Sequence, residues 1–120
     1  MKPYQDARVE GEKLAKQYAE LEKADQVDFY NGLEGYYSVL GHNKKQEAIA
    51  VLIEKNDHKI YVYQLDKGIS QDKAATISRE KGASDIDKVT FGRYQDKPIW
   101  EVKSWNQYYL VDFETGAVIQ

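Results

Sequence analysis

The chain has 120 residues, 42% hydrophobic and 31% charged, with 20 acidic and 17 basic side chains giving a formal net charge of −3. That length suits one compact domain or two small units with a real core, and the composition excludes a disordered chain. The well-mixed charges leave no basic stripe for nucleic acid, the lack of cysteine rules out disulfides, Cys-ligated zinc and thiol catalysis, and no apolar run approaches the ~20 residues of a membrane span.

Zero cysteine fits a cytosolic protein and a Gram-positive exported one alike, so it leaves the compartment open. No signal peptide is present. The chain opens abruptly, with Met1-Lys2-Pro3-Tyr4 running straight into a helical pattern. A trimmed fragment or a short natural protein would both look like this. Ten Tyr against three Phe favour half-buried strand faces, where the ring packs and the hydroxyl stays wet.

From Tyr4 to Lys23 the spacing predicts a helix. Ala7, Leu14, Tyr18 and Leu21 fall on one stripe with Ala15 beside it, and Glu12 and Lys16 form a favourable i,i+4 pair. The stripe is narrow and rich in alanine, which predicts close packing on a sheet. Gly11 weakens the helix and marks a close backbone approach or a bend.

Strand signals follow. Val27-Asp28-Phe29-Tyr30 is short and mixed, and Asn31-Gly32 is a turn. Tyr36-Tyr37-Ser38-Val39-Leu40 ends at Gly41, and His42 to Lys45 reads as a polar loop. Ala48-Ile49-Ala50-Val51-Leu52-Ile53 has the apolar, β-branched character of a well-buried strand. Asn56-Asp57 turns the chain into Ile60 to Leu65.

Asp66-Lys67-Gly68 reads as a linker. Ser70 is a good N-cap, Asp72 suits the first turn, and Ile69 and Ala74 are placed as a hydrophobic staple. Arg79 and Lys81 lie in the last turn before Gly82 stops the helix. Ile86 to Phe91, Pro98 to Lys103 and Tyr108 to Phe113 read as strands, with Glu114-Thr115-Gly116 turning into Ala117-Val118-Ile119. Pro98 stands at a strand start, where proline is tolerated.

Both halves thus run helix, then three or four strands, an α+β pattern. Lys23 to Asp28 answers Gly82 to Asp87, Tyr37-Ser38-Val39 answers Trp100-Glu101-Val102, and Ile53-Glu54 answers Phe113-Glu114. An internal duplication accounts for this; so does the chance similarity of two αβββ units.

Nothing in the sequence assembles a catalytic site. His42 and His58 both fall in expected turns, where a histidine is ordinarily solvated. Glu114-Thr115-Gly116 has a glutamate, not an aspartate, before the threonine, and Gly116 reads as the φ > 0 residue of a turn. Asp85 and Asp87 would share one strand face, short of the oxygen-rich cage that calcium needs. No phosphate loop, nucleophile elbow or zinc-spaced cluster occurs, so the chain is read as not an enzyme, with no cofactor and no metal.

The aromatic residues carry more information. Trp100 and Val102 share one face of their strand and Ile99, Glu101 and Lys103 the other. The mixed face is expected outward and Trp100 in the core. Trp105 and Tyr108 flank a loop; they either cap the end of a core or form an exposed protein-contact patch, since both residue types are favoured at interfaces.

The C-terminal half resembles the PepSY domain. The resemblance rests on Ile69, Ala74, Ile77 and Gly82, on Ile86, Val89 and Phe91, and on the Pro98-Ile99-Trp100-Glu101-Val102 strand. It rests above all on Val111-Asp112-Phe113-Glu114-Thr115-Gly116-Ala117-Val118-Ile119, which stands where PepSY has Val-Asp-x-x-Thr-Gly-x-Val-Ile/Leu. The N-terminal half is similar to the domain paired with PepSY in the YpmB family, also called TseB, the cell wall elongation regulators of Gram-positive bacilli and relatives. Its carrying residues are Ala7, Lys13-Leu14-Ala15, Phe29-Tyr30-Asn31-Gly32 and Tyr36 to Gly41.

The resemblance implies tandem cystatin-like units, each a helix packed on an antiparallel sheet, with the first over residues 1–66 and a PepSY domain over 67–120. It implies display outside the membrane on an N-terminal anchor absent from this chain, which fits the abrupt start. It further implies regulation of cell wall elongation through contact with a class B penicillin-binding protein, without catalysis. PepSY domains also occur in peptidase propeptides, which makes a protease inhibitor or modulator the alternative.

Overall fold

The computed structural model describes residues 3–105 and 107–119. Two compact units divide the chain, Met1–Gln64 and Leu65–Gln120.

In the first unit, helix α1 (Pro3–Tyr18) precedes four antiparallel strands in the order β1-β2-β3-β4: Leu21–Asn31, Gly35–Asn43, Ala48–Glu54 and Ile60–Gln64. Pro3 opens the helix, where its missing N–H costs nothing. The Glu12–Lys16 pair forms at 3.0 Å. The side chains of Ala7 and Tyr18, expected on the apolar stripe, lie outside the described residues. Gly11 is the close approach the sequence anticipates, because a Cβ there would stand 3.1 Å from Tyr37 Cβ.

The helix stops short of Lys23. Glu20 takes φ +55, outside the right-handed helical region, and Leu21 opens β1 instead, 3% exposed in the core. That core joins Ala15 and Leu21 to Val39, Ile49, Val51 and Ile53, with Leu14, Val27 and Tyr37 against it. As expected, β3 is buried along its length from Ile49 to Ile53. Strand β2 continues through Gly41 and His42, which corrects the reading of His42 as a turn residue.

In the second unit, one turn of 3-10 helix (Leu65–Lys67) leads to α2 (Gln71–Glu80) and three strands in the order β5-β6-β7: Ile86–Tyr94, Lys97–Ser104 and Tyr108–Asp112. Ser70 caps α2 as expected, its Oγ accepting from the Lys73 N–H at 3.0 Å. At the other end the Gly82 N–H donates to the Arg79 carbonyl and the Ala83 N–H to the Ser78 carbonyl, the paired bonds of a Schellman stop.

Phe91, Trp100 and Phe113 form the aromatic centre of this unit. Their rings meet edge to face at 5.0 Å (Phe91–Trp100), 5.2 Å (Phe91–Phe113) and 6.4 Å (Trp100–Phe113), the geometry that the ring quadrupoles favour. Trp100 is core, at 1% exposure. Ile99, on the face expected outward, is buried as well, at 0%.

The Asp112–Gly116 segment is a turn held by its own side chains. Asp112 Oδ1 accepts from the N–H groups of Glu114 and Thr115 at 2.8 and 3.1 Å, and Gly116 sits at φ +83. The returning chain pairs Val118 with Val111, so β7 has a partner on its outer edge.

The two units repeat one register. Phe29 is the Cα partner of Tyr37 across β1 and β2, as Phe91 is of Trp100 across β5 and β6. The third strand places Ile53 opposite Tyr37 and Val111 opposite Trp100. Ile53 therefore answers Val111, not Phe113. By the same register Val27 answers Val89, not Ile86, because both place a valine two residues before the paired phenylalanine.

Candidate functional site

The β6–β7 hairpin carries both residues singled out from the sequence. Ser104 and Gln107 clasp its end: the Ser104 N–H and Oγ–H donate to the Gln107 carbonyl at 2.9 and 2.8 Å, and the Gln107 N–H donates to Ser104 Oγ at 3.2 Å. Asn106, between them, lies outside the described residues. The clasp holds Trp105 and Tyr108 at the rim, where they are 70% and 56% exposed. Neither ring belongs to the core.

Trp105 is nonetheless fixed. Its Nε1–H donates to Ser84 Oγ at 2.9 Å, across to the segment between α2 and β5. Strand pairing puts Lys88 opposite Lys103 and Lys103 opposite Tyr108, so these three side chains line one face of the sheet. Glu101, two residues along β6, shares that face. Burial pushes its carboxyl above the ordinary range, while Lys88 and Lys103 draw it back down.

The other candidates do not converge. His42 Nδ1 lies 3.0 Å from Asp25 Oδ2, with Lys23 Nζ 3.9 Å from the other carboxylate oxygen. His58 stays in a turn at φ +57. Asp85 takes φ +51 and precedes β5, so it does not share a strand face with Asp87 as expected. Among the described residues no three His, Asp or Glu side chains are placed to hold a metal ion. A cleft of about 180 Å³ between Leu14, Ile53, His58 and Ile60 is smaller than the few hundred Å³ that a ligand site of ordinary size needs.

Further exposed apolar surface lies in the first unit, at residues that the sequence does not single out. Leu33, in the β1–β2 turn, is 70% exposed; Phe29, in β1, is 39% exposed, with Lys55 Nζ 5.4 Å from its ring centre. An apolar residue following Asn-Gly in a turn was the available signal.

Against known proteins, residues 10–54 match the family model described as the cell wall elongation regulator TseB-like domain. The chain is 36% identical to the probable cell wall elongation regulator TseB of Bacillus subtilis (strain 168), over 88% of its own length and 70% of that protein. This chain belongs to the TseB family of cell wall elongation regulators. Its fold agrees with that of the solved YpmB protein from Bacillus subtilis, with a TM-score of 0.79 and 34% identity over 93% of each chain. The likeness takes in residues of both α+β units. No helix among the described residues is long and apolar enough to cross a membrane.

Proposed function

We propose that this chain regulates cell wall elongation without catalysis, as an extracytoplasmic domain that binds a class B penicillin-binding protein. Held by an N-terminal membrane anchor, it would meet the synthase on the outer side of the membrane. Its second unit is read as a PepSY domain that presents the contact surface.

The observation carrying this reading is the likeness to a probable cell wall elongation regulator along 88% of the chain. A regulator acts through contacts. Exposed, positioned aromatics such as Trp105 and Tyr108 are the residue types that supply binding energy at protein interfaces.

The test is co-purification of the membrane-anchored protein from detergent-solubilised membranes, with the retained proteins identified by mass spectrometry. A class B penicillin-binding protein recovered in proportion to the bait supports the reading. Recovery of a secreted protease in its place would favour protease modulation, and recovery of neither removes the synthase as partner.

A further inference from the structure

We propose that β4 is a docking edge and that its occupant is β4 of a second copy of this chain, paired antiparallel about Val62. The inference goes beyond the synthase reading and does not depend on it.

Four strands stand at sheet edges, β1 and β4 in the first unit and β5 and β7 in the second. An edge pairs with another chain unless exposed charges, bulges or a covering segment prevent it. Strand β1 carries Glu22, Lys23 and Asp25 in solvent, and register shifts between Leu21 and Lys23 and between Ala24 and Gln26. Strand β5 carries Asp87 and Lys88 in solvent and a register shift between Ile86 and Lys88. Its Val89 carbonyl also accepts from Gln71 Nε2 at 2.8 Å. Strand β7 is covered by the returning chain at Val118. Strand β4, Ile60-Tyr61-Val62-Tyr63-Gln64, has no charge, no proline and no register shift against β3. Among the described strands it is the edge without such a block.

The Glu54 N–H donates to the Lys59 carbonyl at 2.8 Å. By the alternation of an antiparallel pair, Tyr61 and Tyr63 then exchange bonds with Leu52 and Ala50. The N–H and C=O groups of Ile60, Val62 and Gln64 point away from β3. Ile60 packs against the core. Val62, on the same face and opposite the buried Val51, is 49% exposed, so apolar surface continues to the edge.

A second β4 fits this edge. Pairing about Val62 sets Val62 against Val62, Ile60 against Gln64 and Tyr61 against Tyr63, and each outward N–H meets an outward carbonyl. No charged side chain lies within the paired strands, so like charges do not face each other. The nearest charges beyond the strand, Lys59 and Asp66, are exposed and opposite in sign, and the two-fold arrangement brings each toward the other's end of the second copy. Asp57 and Lys67, further out, are again opposite in sign. A two-fold contact closes on itself, and the blocked edges stop further strand addition, so association ends at a dimer. One short strand a side is less than a standard interface, so the dimer is weak and forms at high concentration.

The experiment is analytical ultracentrifugation of the purified chain from micromolar to near-millimolar concentration, for the wild type, Val62→Lys, Val62→Pro and Leu33→Lys. Circular dichroism checks that each variant is folded. The wild-type mass should rise toward twice the monomer value. Val62→Lys opposes two ammonium groups and should weaken association by roughly tenfold or more. Val62→Pro removes an outward N–H without touching the bonds to β3 and should act in the same direction, while Leu33→Lys should match the wild type. The chain has no cysteine, so Val62→Cys gives a second readout. Paired Val62 Cα atoms would stand about 5.5 Å apart, within disulfide reach, and oxidation should yield a covalent dimer faster than in Leu33→Cys, although Leu33 is the more exposed site. A wild type that stays monomeric throughout overturns the proposal, as do dimers that Val62→Lys and Val62→Pro leave intact, or equal oxidation rates of the two cysteine variants. Dissociation by Leu33→Lys alone moves the contact to the β1–β2 turn and also overturns it. So does a monomer whose Val62 and Gln64 amides gain protection from hydrogen exchange only when a class B penicillin-binding protein is added, since the edge then belongs to that partner.

Discussion

The indole Nε1 of Trp100 donates to the backbone carbonyl of Ile69 at 3.0 Å, tying the middle of β6 to the residue before the cap of α2. Trp105 makes the chemically equivalent bond to Ser84 with most of its ring in solvent. The same side-chain type thus has two roles in one short stretch, and substitution separates them. Trp100→Phe removes the bond and leaves space in a packed aromatic cluster, at a cost of about 2–4 kcal/mol. Trp105→Phe should cost no more than about 1 kcal/mol. Denaturant unfolding followed by circular dichroism measures both, and equal losses would contradict the assignment.

The repeated register sets up a second comparison. Phe29 and Phe91 hold the same position in their hairpins, each opposite an aromatic residue. Phe91 is 0% exposed and Phe29 39%. Phe91→Ala should cost about 3–5 kcal/mol, as for a fully buried ring, and Phe29→Ala about 1–2 kcal/mol in proportion to its smaller burial. Thermal or denaturant unfolding of the two variants checks the ratio.

Ser78 should respond in the opposite sense. Its Oγ is buried in α2 with no hydrogen-bond partner among the described residues, and serine is a poorer helix former than alanine. Ser78→Ala removes an unsatisfied hydroxyl from the interior, so the variant should be more stable by about 1 kcal/mol. A destabilised Ser78→Ala protein would mean that the hydroxyl has a partner.

Glu54 gives a pH dependence of defined sign. Burial raises its carboxyl above the ordinary value of 4.5, with Glu34 and Asp57 adding to the effect and Lys59 opposing it. Between 4.5 and the raised value, the folded chain keeps a proton that the unfolded chain has lost. Protons then favour folding, so this group makes stability fall as pH rises through that window. Glu54→Gln removes the effect. The variant should gain on the wild type from pH 4.5 upward and level off once the native carboxyl is ionised. Parallel stability curves across that range would contradict it.

The second helix was the most legible element, because Ser70 and Gly82 mark its ends and act locally. Strand β1 was obscured for physical reasons. It lies at a sheet edge, Glu22, Lys23 and Asp25 face solvent, and register shifts between Leu21 and Lys23 and between Ala24 and Gln26 interrupt the alternation. Leu21 also fits the helical spacing of Leu14, so periodicity alone could not decide where α1 ends. The repeat was visible in outline, but its third strand was misaligned because Glu54 and Glu114 each follow an apolar residue. Of the candidate surface, Trp105 and Tyr108 were legible as aromatics without an apolar partner nearby. The tie of Trp105 to Ser84 and the row of Tyr108 and Lys103 with Lys88 were not, since Ser84 and Lys88 lie about twenty positions away in sequence.

The most direct test of the account is the equilibrium binding of this purified chain to a purified class B penicillin-binding protein. The account predicts saturable binding that Trp105→Ala weakens by roughly tenfold or more. A folded chain that shows no binding at any salt concentration would contradict it.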